Sequence, residues 1–169
     1  VVMRQNNVPE WYIESCRKIK YMFPKAHAVA YVMMAVRIAY CKVHYPLPFY
    51  ASYFTVRANE VDADLIVKGE ALIRQKLAEL EQKANNTLTA KEKGVQTILE
   101  MALEMYLRGY RFHRVDLYKS DATRFIIEGD GLLPPLAALD GVGDTAAKNI
   151  VQARAVKPFS SIEDLRQRS

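Results

Sequence analysis

"LLPPLAALDGVGDTAAKNIVQAR", residues 132–154, decides how the last third of the chain is read. The two prolines interrupt any regular element before them, and Leu136 and Leu139 fit a short helical segment. Gly141-Val142-Gly143 then turns the chain. A new helix begins at Asp144 or Thr145, with Ala147, Ile150 and Val151 as its apolar face and Arg154 one turn further on. Glycines on either side of one small apolar residue tolerate positive φ and let a ligand approach the backbone. The amides they expose point outward at the positive end of a helix dipole, which is the geometry of a phosphate site. A tight αα-turn that binds nothing is the alternative. A dinucleotide-binding GxGxxG pattern fails here, because no third glycine follows and no apolar strand leads directly into the turn.

This pattern resembles the helix-hairpin-helix family, which grips the sugar-phosphate backbone without reading bases. The resemblance implies that Gly141, Val142 and Gly143 offer amides to a phosphate of duplex DNA, with Thr145, Lys148 and Arg154 as further DNA-binding residues. Asp144 is an awkward neighbour for a phosphate and reads as an acid that stabilises the helix start. In "KPFSSIEDLRQRS", residues 157–169, Ser160 and Glu163 fit a capping box for a helix that docks beside the hairpin. Arg166 and Arg168 read either as extra backbone contacts or as solvated terminal arginines.

Upstream, two amphipathic helices are expected at Gly69–Ala84 and Thr89–Arg108, with Gly109 placed to end the second. Beyond it "YRFHRVDLY" (110–118) and "TRFIIEGDGLL" (123–133) read as strands, the latter with a Gly-Asp-Gly turn. That change of pattern divides the chain into a helical segment, 1–109, and a module of short strands plus the glycine hairpin, 110–169. The fold class is mainly α with a small β component (α+β).

The front of the chain holds "YMFPKAHAVAYVMMAVRIAYCKVHYPL", residues 21–47. It reads as one helix with Pro24 at its first position, stopped by Pro46 and Pro48. Its apolar side chains run almost all the way round, so burial by neighbours on several sides is expected. Before it, Val8-Pro9-Glu10 marks a helix entry with Trp11, Ile13, Ile19 and Met22 available for burial; after it, Tyr50–Arg57 fits the end of a helix or a short strand. Lys25 and His27 occupy the first turn, where cations are disfavoured unless an anion faces them. Three readings compete: surface residues, a neutral core histidine, or a phosphate site with Tyr31, one turn behind His27, laid against a sugar or base.

The net charge of +5 is unevenly spread: +6 over residues 1–57, −2 over 58–109 and +1 over 110–169. A basic front predicts a polyanionic partner, nucleic acid or nucleotide before membrane, or else a plain solvated face. The apolar run Ala28–Val36 is short of the roughly 20 residues that span a bilayer, and Arg37 interrupts it. Cys16 and Cys41 show no CxxC spacing, and no signal peptide pattern is present. A soluble intracellular protein without a membrane partner is the plain expectation. Neither Val1-Val2-Met3 nor Ser169 reads as a natural terminus, so a piece of a larger protein is expected.

"VPEWYIESCRKIKYMFPKAHAVAYVMMAVRIAYCKVHYPL" resembles the fingers region of the PolC-type DNA polymerase III alpha subunit, a C-family bacterial replicative polymerase. The likeness continues through "YASYFTVRA", "KEKGVQTILEMALEMYLRGYRFHRVDLYKSDATRFIIEGDGLLPP" and "LDGVGDTAAKNIVQAR" to "FSSIEDLRQRS". It implies the end of the fingers followed by a duplex-binding module. Lys25 and His27 would face the triphosphate of the incoming deoxynucleoside triphosphate (dNTP) or the template-primer junction, Tyr31 would face the base or sugar, and Arg17, Lys18 and Lys20 would track a DNA strand. Arg37 and Lys42 stay open between that role and a structural one. The implied partners are template-primer duplex DNA, dNTP, the remaining polymerase domains and replisome subunits, in the cytoplasm at the nucleoid.

The same resemblance places the catalytic aspartates, and the Mg2+ they hold, in a palm outside this chain, so no catalytic or metal-binding residue and no bound cofactor is expected here. Asp62-Ala63-Asp64 has the DxD form but reads as a helix-start signal. A zinc site from Cys16, Cys41, His27 and His44 lacks the spacing. Two other functions remain in competition: a non-catalytic helix-hairpin-helix module of a repair or recombination protein, and a helical scaffold whose glycine turn is only a turn.

Overall fold

The computed structural model describes residues 1–19, 24–83 and 88–169. Lys20, Met22 and Ala84, which figured in the expectations above, lie outside them. The chain falls into two units, 1–40 and 41–169, and the expected module boundary at 109/110 lies inside the second.

In the first unit α1 (Val2–Gln5) leads to α2 (Glu10–Lys18), which Pro9 introduces. Arg4 is paired with Glu10. Arg17 and Lys18 occupy the last turn of α2, where cations suit the negative end of the dipole. Of the apolar set expected to be buried, Ile13 is, whereas Trp11 and Ile19 are exposed. α3 (Lys25–His44) starts one residue later than expected, with the Pro24 carbonyl accepting from the Ala28 N–H. The expected burial of α3 is not found: no residue of it is buried, and Tyr31 is 65% and Val32 61% exposed. An all-round apolar pattern states that a helix needs cover; it does not place the cover within the same 169 residues. By length and composition α3 is also apolar enough to cross a membrane, the full helix being longer than the run singled out in the sequence. Against a span stand Arg37 within it and Lys42, which is ion-paired.

The second unit is built on α4 (Pro46–Val56), which resolves the helix-or-strand alternative for 50–57. Pro46 and Pro48 both lie in its first turn, where a missing N–H costs nothing. A 3-10 turn (Ala58–Glu60) and α5 (Ala63–Ile66) follow; the Asp62 carboxylate accepts the Leu65 N–H and so caps α5. α6 (Glu70–Lys83) and α7 (Ala90–Leu107) pack together, α7 opening on a Thr89–Glu92 capping box. Gly109, at φ +85°, ends the segment in the left-handed conformation. The strands are shorter than the alternating sequence suggested: β1 (Arg111–Phe112), β2 (Ile126–Glu128) and β3 (Gly131–Leu133), in the order β1-β3-β2. β1 runs parallel to β3 and β2 antiparallel to it, through the Gly129–Asp130 turn. After Phe112 the chain leaves the sheet because Asp116 and Ser120 close a loop on each other, the Ser120 hydroxyl accepting from Asp116 N–H at 3.0 Å.

One core gathers these elements. Phe54 of α4 meets Phe112 and Phe125 at ring distances of 5.1 and 5.6 Å, with Ile73, Leu99, Met105 and Leu132 around them. Beside it Glu104 accepts from Lys42 Nζ at 2.6 Å and from the Tyr50 hydroxyl at 3.1 Å. Lys42 is thus structural. Burial, then the bond to Glu104, pushes the Tyr50 phenol up to about 12. Burial alone would raise Glu104, but the bonds from Lys42 and Tyr50 outweigh it and leave this carboxyl below its usual range. A second, smaller core of Ala122, Leu136 and Ala147, flanked by Val115, Val142, Ile150 and Val151, holds the last helices. These are α8 (Asp144–Val156) and α9 (Ile162–Arg168).

Gly131 is where β3 lies against β1: a Cβ there would overlap the Arg111 carbonyl oxygen. Gly131→Ala is therefore expected to lower stability by about 1–3 kcal/mol, read as a fall in the urea midpoint at unchanged m-value.

Candidate nucleic-acid interface

The segment from Leu132 to Arg154 folds as its residues dictate. Pro134 and Pro135 lead into a 3-10 turn, Leu136–Ala138, whose Leu136 and Ala137 N–H groups donate to the Asp121 and Ala122 carbonyls at 3.0 Å. Gly141 adopts φ +78°, the left-handed conformation that a side chain resists. Gly143 differs: at φ −78° and ψ 163° it is the N-cap of α8, and a Cβ on it would meet nothing within 4 Å. Its role is therefore openness rather than conformational freedom. No side chain caps α8. The first intrahelical bond is from Ala147 N–H to Gly143 C=O at 3.0 Å, so the donors ahead of it are the orphans of a helix start.

The predicted hairpin residues divide into three groups. Gly141, Gly143, Thr145 and Lys148 are exposed along the start of α8, as is Asp144. Val142 behaves otherwise: its N–H donates to the Leu139 carbonyl at 3.1 Å and its side chain packs into the second core. It fixes the turn, and its own amide is used within the turn, so the orphan donors begin further on, at the first residues of α8. Arg154 also points its chemistry inward. Its guanidinium donates to the Leu117 carbonyl and, at 2.6 Å, to that of the fully buried Ser120. It ties α8 to the loop after β1 instead of presenting a charge on the surface.

α9 departs from the expected cap by one residue. Ser161, not Ser160, is the N-cap; its hydroxyl accepts from Asp164 N–H at 3.2 Å, and Asp164 accepts from Ser160 N–H at 3.0 Å. An S-S-I-E-D stretch offers two overlapping pairs, and the backbone takes the later one. The Ser160 N–H, and after it Arg168, holds the Asp164 carboxyl below its usual range. Arg168 is neither a solvated terminus nor a free contact. Its guanidinium donates to the carbonyls of Ala153 and Lys157, pairs with Asp164 at 2.9 Å and lies 4.7 Å from the Phe159 ring centre. It therefore caps the negative end of α8. That role was missed; a basic residue ending a short helix was the available signal.

In the first unit, Lys25 is the exposed first residue of α3, and His27 and Tyr31 meet edge-to-face at 4.3 Å, interplanar angle 87°. The one-turn spacing read from the sequence is realised. Among the described residues no group of three His, Cys, Asp or Glu is placed to hold a metal ion. Asp62, half of the DxD sequence, is occupied as a helix cap.

Arg154→Met is expected to cost about 1.5–3 kcal/mol, the range for hydrogen bonds from a charged group, because two carbonyls lose their donor. Arg154→Lys should recover only part of it, since an ammonium lacks the fork that reaches both; urea unfolding of the two variants measures this.

A helix-hairpin-helix motif family model matches residues 109–169. The chain is 64% identical over 168 residues to "DNA polymerase III PolC-type" of Clostridium perfringens, which covers 99% of this chain and 12% of that protein. It is 56% identical over 166 residues to the Bacillus subtilis protein of the same description and 53% over 167 residues to that of Thermotoga petrophila, again spanning 12% of each. At such identity over nearly every residue, the chain is homologous to one segment of the PolC-type DNA polymerase III, as its sequence implied.

Proposed function

We propose that this chain is the substrate-holding part of a replicative DNA-directed DNA polymerase, a nucleotidyltransferase. Residues 110–169 grip duplex DNA by its backbone, and the helical segment before them is the end of the fingers, which positions the incoming dNTP. The observation that carries the first half is the start of α8: no side chain caps it, Gly143 leaves it open, and Lys148 is exposed one turn in. A phosphate oxygen supplies what the orphan amides lack. Asp144 in that turn keeps the site from being a generic anion trap, so repeated contacts along a polyanion, rather than one tight ion, set the affinity.

For the second half, Lys25, His27 and Tyr31 combine a cation, a hydrogen-bonding ring and an aromatic face on the first turns of one helix. That combination suits a triphosphate with its sugar or base. The metal-holding carboxylates belong to a palm segment elsewhere in the polymerase, so this chain on its own binds without catalysing. Its other partners are the remaining polymerase domains and replisome subunits, in the cytoplasm.

Gly143→Val tests the hairpin. Valine is compatible with the φ of that residue and meets no neighbour, so the fold stays while bulk covers the amides. Duplex affinity should fall about tenfold at every sequence tested, the loss of one charge-assisted hydrogen bond; unchanged affinity overturns the assignment. For the fingers, titration with magnesium dATP should shift amide resonances around Lys25, His27 and Tyr31. Shifts confined to residues after 130 would sink that half of the reading.

A further inference from the structure

A cleft of about 710 Å3 lies directly upstream of the glycine turn, within the second unit. Leu136 and Leu139 form part of its floor with Val67 and Val115, and Leu139 is two residues before Gly141. Lys68, in the turn after α5, and Arg114, in the loop after β1, supply its two cations; Asp64 is the one acid on its lining. Neighbouring cations are committed elsewhere: Arg111 to Asp130, Lys119 to Glu128, Arg124 to Asp121 and Arg154 to backbone carbonyls. Lys68 and Arg114 are exposed and form no ion pair among the described residues. Arg114 is also held in place from both sides. His113 N–H donates to the Leu132 carbonyl at 2.8 Å, and Val115 packs into the second core.

We propose that Lys68 and Arg114 are a second backbone contact for the duplex, receiving the sugar-phosphate strand adjacent to the phosphate held at the start of α8. This rests on the reading of the hairpin given above. An apolar floor flanked by two unpaired cations matches the chemistry of such a strand, whose deoxyribose faces are apolar and whose phosphates are not. A small free anion would satisfy the cations and leave the floor wet. The floor residues Leu136 and Leu139 and the glycine turn belong to one continuous stretch, 136–143, so the cleft and the hairpin are neighbours along the chain. The cleft adds position and affinity but no sequence preference, since neither cation is paired with a base-reading partner.

The test measures binding of the 169-residue chain to a fluorescent duplex across a series of salt concentrations, alongside the double variant Lys68→Ala/Arg114→Ala. The control is Lys93→Ala/Arg74→Ala, which removes the same charge from exposed residues outside the cleft. The proposal expects the first variant to lose about tenfold or more in affinity near 0.1 M salt and to flatten the log-log salt slope by about 2, one per phosphate contact. The control keeps the parent slope. Equal slopes in the parent and the cleft variant, or an equal loss in the control, overturn the cleft while leaving the hairpin standing. Absence of duplex binding by the unaltered chain removes both.

Discussion

Phe54, Phe112 and Phe125 meet ring to ring at 5.1, 5.6 and 6.2 Å, and the seating of the sheet on α4 depends on that contact. The three rings join α4 to β1 and to the residue just before β2, so the helical bundle and the strands share one apolar interior. Phe125 is fastened further by its N–H, which donates to the Thr55 hydroxyl of α4 at 2.9 Å. From β3 only two prolines separate the buried Leu132-Leu133 pair from the segment that carries the glycine turn. Large aromatic surfaces removed from water supply a strong nondirectional force. Here that force fixes where a set of directional donors will point.

The placement of those donors has a division of labour. Val142 and Ala147 anchor the turn in the second core, Arg154 holds α8 to the loop at Leu117 and Ser120, and Arg168 closes the far end of the helix. None of these side chains presents a group to solvent for a ligand. They leave the exposed residues, Gly143, Thr145 and Lys148, on a helix that is anchored at both ends.

Much of this was legible in residue types. The turn at 141–143, the stop at Gly109, the Asp62 start signal and the one-turn pairing of His27 with Tyr31 all follow from local chemistry, which sequence carries directly. What escaped was chemistry that depends on convergence. Nothing near Arg154 in the sequence announces that the carbonyls of Leu117 and Ser120 arrive beside it, and nothing near Lys42 announces Glu104. The alternation of 110–118 promised a longer strand than β1, because a serine-aspartate loop closure competes with the ladder and is invisible to a period-two pattern. The burial expected of α3 failed for a different reason: hydropathy records a requirement and not whether the same chain fulfils it.

That unfulfilled requirement has a thermodynamic signature. Among the described residues of 1–40 only Ile13 is buried, so most apolar side chains of that unit are hydrated before and after melting. Heat-capacity change on unfolding counts newly wetted surface, not residues. The calorimetric increment of this polypeptide is accordingly that of a shorter protein, and the deficit measures how much oily surface the fold leaves wet.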